Sequence, residues 1–457
     1  MVGFKIASVL AVSGLALAAP NQGPQSHHGR SIESHGAADS WKSKIKNVVV
    51  LVEENRSFDS MMGGLSYNPD INGLLHHNYC NSMNVSDPNQ KADVCAGPRA
   101  QDVAIDDPGH SIYGANMQLY GTYHPDEAAV KAGLQEAHMR GFVTEQSVTY
   151  STLNQTRAAE AINYYTNDQV RVLNSIAENY VLFDRWFAAV PGPTNPNRAY
   201  LTSGTSHGHG YNDESFDVYG HPQRSVFEQL TEYNVSWINY QNSTTGPGLG
   251  FNPDAAFYNW TLQSGAANTS ILPLDQFYAD AAAGTLPQFT YINPECCSYQ
   301  SMHPPSPITL GEQFVKGIYD AVRNSPQWNE TLFILTFDEH GGFADHVPPP
   351  VNVPAGDNLT YTETAADGKN VTFDFTRLGV RVPTMLISPW VGQGVIEHKA
   401  INKGGEYTHT SILAFVQELW GMDTLTPRVG YSATFEHLIL DEMRTDAIVD
   451  LPNPYPF

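Results

Sequence analysis

Three short, uninterrupted apolar runs constrain the fold of this chain more than any other feature of its sequence. They cover residues 47–52, 331–337 and 382–388, and each is rich in β-branched or large aliphatic side chains. Continuous apolar runs of this length are typical of strands that helices cover on both faces, as in parallel sheets. We therefore predict that all three are buried parallel strands.

Helical periodicity marks other segments of the chain, at residues 159–179, 309–324 and 409–419. In the second of these, Phe314, Ile318 and Val322 share one face of a helix. Strands that alternate with helices predict an α/β fold with a largely parallel central sheet covered by helices on both faces. The sequence has no internal repeats and no long linker, so residues 44–457 are predicted to form a single domain.

The N-terminal residues predict export. Lys5 precedes an apolar run over residues 6–19 that ends in small residues, a pattern typical of a signal peptide cleaved after Ala18. The run is too short to span a bilayer. We predict a signal peptide over residues 1–18, a flexible polar segment over residues 19–43, and a secreted protein that is extracellular or in the cell wall.

Asn-X-Ser/Thr triplets recur along the chain and predict N-linked glycans on an exported protein. The triplets begin at Asn84, Asn154, Asn234, Asn242, Asn259, Asn268, Asn329, Asn358 and Asn370. Asn55 also opens such a triplet, but we predict that it lies in the active site and carries no glycan.

Four cysteines fit an oxidising compartment. Cys80 and Cys95 flank a polar segment and are the natural pair. Cys296 and Cys297 are adjacent, so they are either bridged to each other or two separate thiols. Four cysteines allow three connectivities, and the sequence leaves all of them open.

The formal charge of −23 bounds the partners of the chain. Nucleic acid requires a basic surface, and an anionic membrane repels an acidic protein. The sequence also shows no amphipathic membrane helix, so we expect no stable membrane anchoring. It does not indicate an oligomeric state.

Two of the predicted strands run directly into acidic residues. Glu53, Glu54 and Asn55 follow the first run, and Asp338 and Glu339 follow the second. Ligands of open α/β sheets bind at the carboxyl ends of strands, and clustered carboxylates are costly to bury without a cation. These residues therefore predict a divalent metal site, although either acid cluster could instead cap a helix.

A turn between prolines presents a hydroxyl group. Pro193 and Pro196 lie on either side of Thr194 and stiffen the segment. A hydroxyl becomes an effective nucleophile when a metal ion or a base activates it. On the local sequence alone, a surface turn is the favoured interpretation.

Several motifs occur in the chain in a fixed order. They are E-N-R-S-F-D at 54–59, G-P-T-N-P-N-R at 192–198, H-P-P at 303–305, and D-E-H-G-G-F at 338–343 with D-H-V-P-P at 345–349. The ordered set resembles the phosphoesterase family that contains bacterial phospholipases C and secreted acid phosphatases. The resemblance spans about residues 44–440 and is closest to the compact secreted acid phosphatases of fungal type. It implies an alkaline-phosphatase-like fold.

The resemblance also implies a metal-centred site with Thr194 as the nucleophile. The positions that match its ligands are Glu54, Asn55, Thr194, Asp338 and Glu339. A shell of oxygen atoms without sulfur predicts one divalent metal ion, with Mg²⁺, Mn²⁺ or Ca²⁺ favoured and Zn²⁺ as the alternative.

Three histidines match further positions of the family. His110 and His303 match histidines that contact the phosphoryl group or the leaving oxygen, and we predict both to be catalytic. Asn55 and His346 are predicted to bind the substrate, although His346 could hold its loop instead. Protonated His110 and His303 would bind phosphate better below about pH 6.5, which predicts an acidic optimum.

The function predicted from these residues is hydrolysis of small phosphate monoesters, as in an acid phosphatase, through a phosphorylated Thr194. A phospholipase C-type phosphodiesterase is the main alternative. Gly204–Gly208 matches the G-x-S-x-G elbow of serine esterases, with Asp338 and His409 in triad order, but its surroundings suit neither the strand nor the helix that the elbow needs. A non-catalytic secreted glycoprotein is a further alternative, disfavoured because the catalytic set is complete.

Overall fold

The described part of the chain includes four residues before the predicted domain boundary. The computed structural model describes residues 40–241, 253–294, 300–401 and 404–457, and Ser40–Phe457 form one compact unit. Ser40–Ser43 form a 3-10 turn with Trp41 buried, before the predicted domain boundary at Lys44. The predicted signal peptide, the triplet at Asn242, and the residues Cys296 and Cys297 lie outside the described residues.

Within the described residues, eight strands form the central sheet. In chain order they are β1 (Asn47–Glu53), β2 (Val181–Phe183), β3 (Trp237–Gln241), β4 (Ile271–Pro273), β5 (Phe289–Asn293), β6 (Thr331–Phe337), β7 (Thr384–Ile387) and β8 (Val395–Glu397). Their spatial order is β8-β2-β7-β6-β1-β5-β3-β4. Every residue of β1 and β6 is buried, so both faces of the sheet centre are covered, which confirms the predicted α/β architecture.

Strand direction departs from the prediction at one place. β1 runs parallel to both of its neighbours, β5 and β6, and β3 runs parallel to β4 and β5. β7, within the third apolar run, is antiparallel to both β6 and β2, so the prediction that this run is a parallel strand was wrong. Burial on both faces produces the apolar run whatever the direction of the strand.

Helices pack around this sheet. They are α1 (Phe58–Met62), α2 (Ile112–Tyr120), α3 (Glu127–Lys131), α4 (Phe142–Thr149), α5 (Gln155–Ala158), α6 (Arg171–Asn179), α7 (Thr194–Ser203), α8 (Val226–Glu232), α9 (Asn259–Ser264), α10 (Ala267–Ser270), α11 (Leu274–Ala283), α12 (Ile308–Arg323), α13 (Thr410–Trp420) and α14 (Pro427–Tyr431). α12 and α13 confirm two of the three predicted helices. Within the described part of the chain, no helix is long and apolar enough to cross a membrane.

The third predicted helix, at residues 159–179, is broken. Ala159–Ile162 form a 3-10 turn, and regular helix resumes only at Arg171. Between them the amide of Tyr165 donates to the carbonyl oxygen of Ser60 at 2.9 Å. This bond to a distant segment replaces a helical one, because tertiary contacts override local periodicity.

Further pairs of short strands lie outside the central sheet. Trp186–Phe187 pairs with Tyr407–Thr408, and Tyr361–Thr364 pairs with Asn370–Phe373. Cys80–Asn81 pairs with Val94–Cys95, and a disulfide joins Cys80 to Cys95, which confirms the pairing favoured from the sequence.

Candidate active site

The two acidic segments meet at the carboxyl end of the sheet. β1 and β6 are parallel and in register, with Glu53 opposite Phe337, so the residues that follow each strand emerge side by side. The amide of Asn55 donates to Oδ1 of Asp338 at 3.0 Å, and the amide of the next residue donates to the carbonyl oxygen of Glu339 at 3.0 Å. The structure thus brings together segments that are far apart in the sequence.

Asn55 occupies a tight turn directly after β1. Its φ is 67°, in the left-handed region that asparagine enters more readily than most residues. Gly341, with φ 62°, approaches so closely that a Cβ there would lie 2.2 Å from the carbonyl oxygen of Asn55 and 2.6 Å from its Cγ. Only glycine leaves room for the Asn55 side chain at this point.

Arg198 lies between the buried carboxylates. Its Nη2 donates to Oε1 of Glu54 at 3.0 Å, and its Nε donates to Oδ2 of Asp338 at 3.0 Å. Nη1 lies 3.6 Å from Oδ1 of Asp254. One buried guanidinium therefore faces three carboxylates, offsets part of their charge and fixes the orientation of two of them.

Thr194 is the first residue of α7, one helical turn before Arg198. Positions i and i+4 of a helix share a face, so Thr194 lies on the side of α7 that carries Arg198. The loop before it is held by Asn197, whose Nδ2 donates to the carbonyl oxygens of Gly192 and Pro193 at 3.0 and 3.1 Å. The half-buried Thr194 side chain is thereby presented on a rigid element.

The donor atoms fit a hard divalent cation. Oε2 of Glu54, Oδ1 of Asn55 and Oε1 of Glu339 are buried and have no hydrogen-bond partner. Burial raises the pKa of the Glu54 carboxyl against the opposing effect of Arg198, and burial likewise raises the pKa of Glu339. Buried acceptor oxygens without donors are costly, and a cation bound to them would remove that cost.

The carboxylates predicted to bind the metal, those of Glu54, Asp338 and Glu339, are not the most closely grouped ligand atoms of the described residues. Among the described His, Cys, Asp and Glu side chains, two trios place their ligand atoms within 4.8 Å of one another. They are Asp107 with His110 and His303, and Asp59 with Asp345 and His346. Glu54, Asp338 and Glu339 are not one of these trios, so among the described residues the predicted carboxylate ligands do not by themselves form such a cluster.

His110 and His303 lie together at this end of the sheet. Their ring centroids are 6.3 Å apart, and Nδ1 of each ring lies 2.7 Å from a carbonyl oxygen, that of Pro108 or Pro304. These contacts fix Nδ1 as the protonated nitrogen in both rings and leave Nε2 free for a ligand. Nε2 of His110 lies 3.9 Å from Oε1 of Glu339, next to the unpaired oxygens.

The pKa values of the two histidines shift in opposite directions. Burial lowers the pKa of His110, but the nearby charges of Glu339 and Asp107 outweigh it and raise that pKa to about 9. Burial also lowers the pKa of His303, and there it prevails over the attraction of Asp107. A protonated and a neutral imidazole side by side are suited to act as general acid and general base.

His346 has a different environment. Its Nδ1 lies 2.6 Å from Oδ2 of Asp59 and its Nε2 lies 3.0 Å from Oδ1 of Asn72. Asp59 is in turn bound by Arg381, whose Nη2 donates to Oδ1 at 3.0 Å. These contacts favour the alternative in which His346 holds its loop over the predicted contact with substrate.

The esterase motif is not a nucleophile elbow. Gly204 ends α7 in the left-handed conformation, and Ser206 follows in a turn where it is fully buried. His409 lies 2.5 Å from the carbonyl oxygen of Asp338 through Nε2, so it contacts the backbone of that residue and not its carboxylate. The residues of the motif therefore do not assemble a serine triad.

Two site residues were missed by the sequence analysis. Arg198 closes the motif at 192–198, yet nothing local indicates that it reaches three carboxylates. Asp107 opens the segment that carries His110, and its Oδ1 accepts a hydrogen bond of 3.0 Å from Nδ2 of Asn55. Its signal was an acid three residues before a predicted catalytic histidine.

Known proteins resemble this chain over most of its length. The model of the Phosphoesterase family matches residues 45–423. Non-specific phospholipase C6 of Arabidopsis thaliana is 36% identical over 435 residues, which cover 91% of this chain and 76% of that protein. Phospholipase C B of Mycobacterium tuberculosis is 27% identical over 450 residues, covering 90% of this chain and 79% of that protein.

Similarity to solved structures is lower. A protein in the alkaline phosphatase superfamily from Vibrio parahaemolyticus is 12% identical and has a TM-score of 0.35, covering 58% of this chain and 64% of that one. A score of this size supports no conclusion about function.

Proposed function

The chain belongs to the phosphoesterase family, and from that premise we propose that it cleaves phosphodiesters of the phospholipid type through Thr194. That it is a hydrolase of phosphoric ester bonds follows from the family itself. Relatives named phospholipase C, at 36% and 34% identity, support the choice of a diester. The monoesterase activity predicted from the sequence lacks such specific support, and the phospholipase C alternative fits these relatives at least as well.

One observation carries the catalytic part of the proposal. Buried oxygens of Glu54, Asn55 and Glu339 without a hydrogen-bond partner lie on the segments that follow β1 and β6, at the carboxyl end of the sheet where ligands of α/β proteins bind. With Asp338 and Thr194 these residues would hold one divalent cation. A cation bound there lowers the pKa of a coordinated hydroxyl and offsets the charge of a phosphoryl group.

Thr194, His303 and His110 have separate roles in the proposed reaction. The hydroxyl oxygen of Thr194 bonds to phosphorus while the bond from phosphorus to the leaving alcohol breaks. Nε2 of neutral His303 takes the hydroxyl proton, and Nε2 of protonated His110 gives a proton to the leaving oxygen. Water then attacks the phosphorylated Thr194, the threonine oxygen leaves, and the proton transfers run in reverse.

A second candidate is hydrolysis of monoesters. The imidazolium of His110, with its pKa raised to about 9, adds a positive charge beside Glu339. The terminal phosphoryl group of a monoester is doubly charged, so the imidazolium of His110 would attract it more strongly than it attracts a diester.

We also propose that the protein is a secreted glycoprotein. The asparagines at Asn84 and Asn370 are exposed, as sites of glycan addition must be, whereas Asn55 is fully buried. Mass spectrometry of protein from the culture medium, before and after enzymatic removal of N-glycans, tests both points. A protein retained in the cell, or one without glycan mass, would contradict this part.

Parallel assays of the purified protein test the proposed activity. We would measure hydrolysis of a phosphocholine diester and of an aryl phosphate monoester from pH 4 to 8. Thr194→Ala is compared with the exposed control Thr424→Ala and with wild-type protein treated with a chelator. We expect diester turnover that Thr194→Ala and chelation abolish and that Thr424→Ala retains.

The outcomes separate the candidates. Monoester turnover without diester turnover would replace the first candidate with the second. Turnover that survives Thr194→Ala would remove Thr194 from the mechanism, and turnover that survives chelation would remove the metal. Absence of both activities in folded, metal-supplied protein would refute the catalytic proposal.

A further inference from the structure

The side-chain amide of Asn55 has an orientation that one neighbour dictates. Its Nδ2 donates to Oδ1 of Asp107 at 3.0 Å. The Asp107 oxygen acts as the acceptor of this bond, so the NH₂ group of the amide faces it. The amide oxygen then points the other way, and Oδ1 of Asn55 is the atom that is buried without a donor.

We propose that Asp107 is a positioning residue that aims Oδ1 of Asn55 at the divalent cation. This inference rests on the metal site of the proposed function. Without Asp107 the amide could turn over, because its two ends have the same shape and only the hydrogen bond distinguishes them. Turned over, it would present an NH₂ group to the cation and would not serve as a ligand.

The backbone supports this arrangement from both sides. The hydroxyl of Tyr150 donates to the carbonyl oxygen of Asp107 at 2.5 Å and holds that residue in place. Asn55 is held by its own amide bond to Asp338 and by the close approach of Gly341. With both backbones fixed, the bond between the two side chains determines which end of the amide faces the site.

Asp107 also faces the two catalytic histidines. Its Oδ1 lies 3.8 Å from Nδ1 of His110, and its Oδ2 lies 3.8 Å from Nε2 of His303. These separations are too long for hydrogen bonds, so the direct bond of Asp107 is to Asn55. The test must therefore separate an effect transmitted through Asn55 from an effect of charge on the whole site.

Metal affinity is the decisive measurement. Titration of metal-free protein with Mn²⁺, followed by calorimetry, gives a dissociation constant without turnover. We expect Asp107→Ala to weaken Mn²⁺ binding by about 10- to 100-fold, the usual effect of removing a residue that orients a ligand. Asp107→Asn retains an acceptor oxygen, so we expect it to lie between wild type and Asp107→Ala.

Asp106 provides the matched control. It is the adjacent aspartate, and it is bound by Arg157 through Nε at 2.7 Å and Nη2 at 2.8 Å. Asp106→Asn weakens an ion pair between a buried carboxylate and the partly exposed Arg157 in the same loop, and should lower the melting temperature. We expect its Mn²⁺ dissociation constant to remain within about twofold of wild type, since it does not contact Asn55.

A double-mutant cycle identifies the route of the effect. If Asp107 acts through Asn55, then Asp107→Ala has little further effect on Mn²⁺ affinity in an Asn55→Ala background. An equal loss in both backgrounds would assign the effect to charge and overturn the proposal. So would an Asp107→Ala variant that binds Mn²⁺ as wild type does. If wild-type protein neither binds Mn²⁺ nor cleaves either ester, the proposed function fails first, and this inference falls with it.

Discussion

Arg198 offers the sharpest test of how the buried carboxylates are held. We consider Arg198→Met, which keeps much of the side-chain volume and removes the guanidinium. The substitution leaves Glu54, Asp338 and Asp254 buried without their shared cation. Removing one partner of a buried ion pair costs about 3–5 kcal/mol.

That cost translates into a measurable shift of the melting temperature. For a folded unit of about 420 residues, Ser40–Phe457, the entropy of unfolding is about 0.9 kcal/mol/K, so 3–5 kcal/mol lowers the melting temperature by about 3–6 °C. We expect this loss in calorimetry of chelated protein at pH 8. It should shrink at pH 5, because the buried carboxylates can then take up protons and lose their charge.

Arg224 is the control for this experiment. It also binds two carboxylates, of Asp423 and Glu232, but its side chain is 33% exposed. Exposed ion pairs contribute about 0–1 kcal/mol, so Arg224→Met should lower the melting temperature by about 1 °C or less. Equal shifts for the two variants, or an Arg198→Met shift below 1 °C at pH 8, would refute the assignment of Arg198 as the cation that compensates the site.

Three further outcomes are expected. Gly341→Ala should destabilise the protein by several kcal/mol, because its Cβ would lie 2.2 Å from a carbonyl oxygen, whereas Gly368→Ala, also at positive φ but with nothing within 4 Å, should cost only about 1–2 kcal/mol in urea unfolding. In metal-free protein, the pKa of His110 is about 9 against 6.5 unfolded, so its contribution of about 3 kcal/mol should be full below pH 6.5 and disappear as pH rises to about 9. His110→Gln should lack this pH dependence, and a variant that keeps it would show that another group is responsible. Cys80→Ser with Cys95→Ser opens a loop of 15 residues and should cost roughly 3 kcal/mol in urea unfolding, and an unchanged midpoint would contradict this.

The parts of the fold that could be predicted from the sequence are those that local pattern determines. The apolar runs of β1 and β6 are continuous because both faces of the sheet are covered, and helix α12 repeats its apolar residues with helical period. The direction of β7 leaves no such trace, since a strand buried on both faces is apolar whichever way it runs. The break before α6 is equally hidden, because the backbone bond from Tyr165 to Ser60 that lies within it joins residues far apart in the sequence.

The residues of the candidate site likewise fall into those that the local sequence indicates and those that depend on distant contacts. Strand ends supply Glu54, Asn55, Asp338 and Glu339, so a sheet prediction already places them at one edge. Arg198 and Asp107 contact residues that are distant in the sequence, so their neighbouring residues do not indicate these contacts. His346 lies in a matched motif, but its contacts are with Asp59 and Asn72, so its binding of substrate stays a prediction.

Arg198 and Asp107, which the sequence analysis missed, orient the predicted ligands Glu54 and Asn55. Arg198 binds Oε1 of Glu54, which leaves Oε2 of the same carboxylate without a partner, and Asp107 binds Nδ2 of Asn55, which leaves Oδ1 without one. Each missed residue therefore satisfies one end of a ligand and directs the other end into the site. A chain with the same ligands but without these partners would lack the fixed orientations that a cation site requires. Loss of metal affinity with retained folding is thus the expected signature of changes at Asp107, whereas changes at Arg198 should act first on stability.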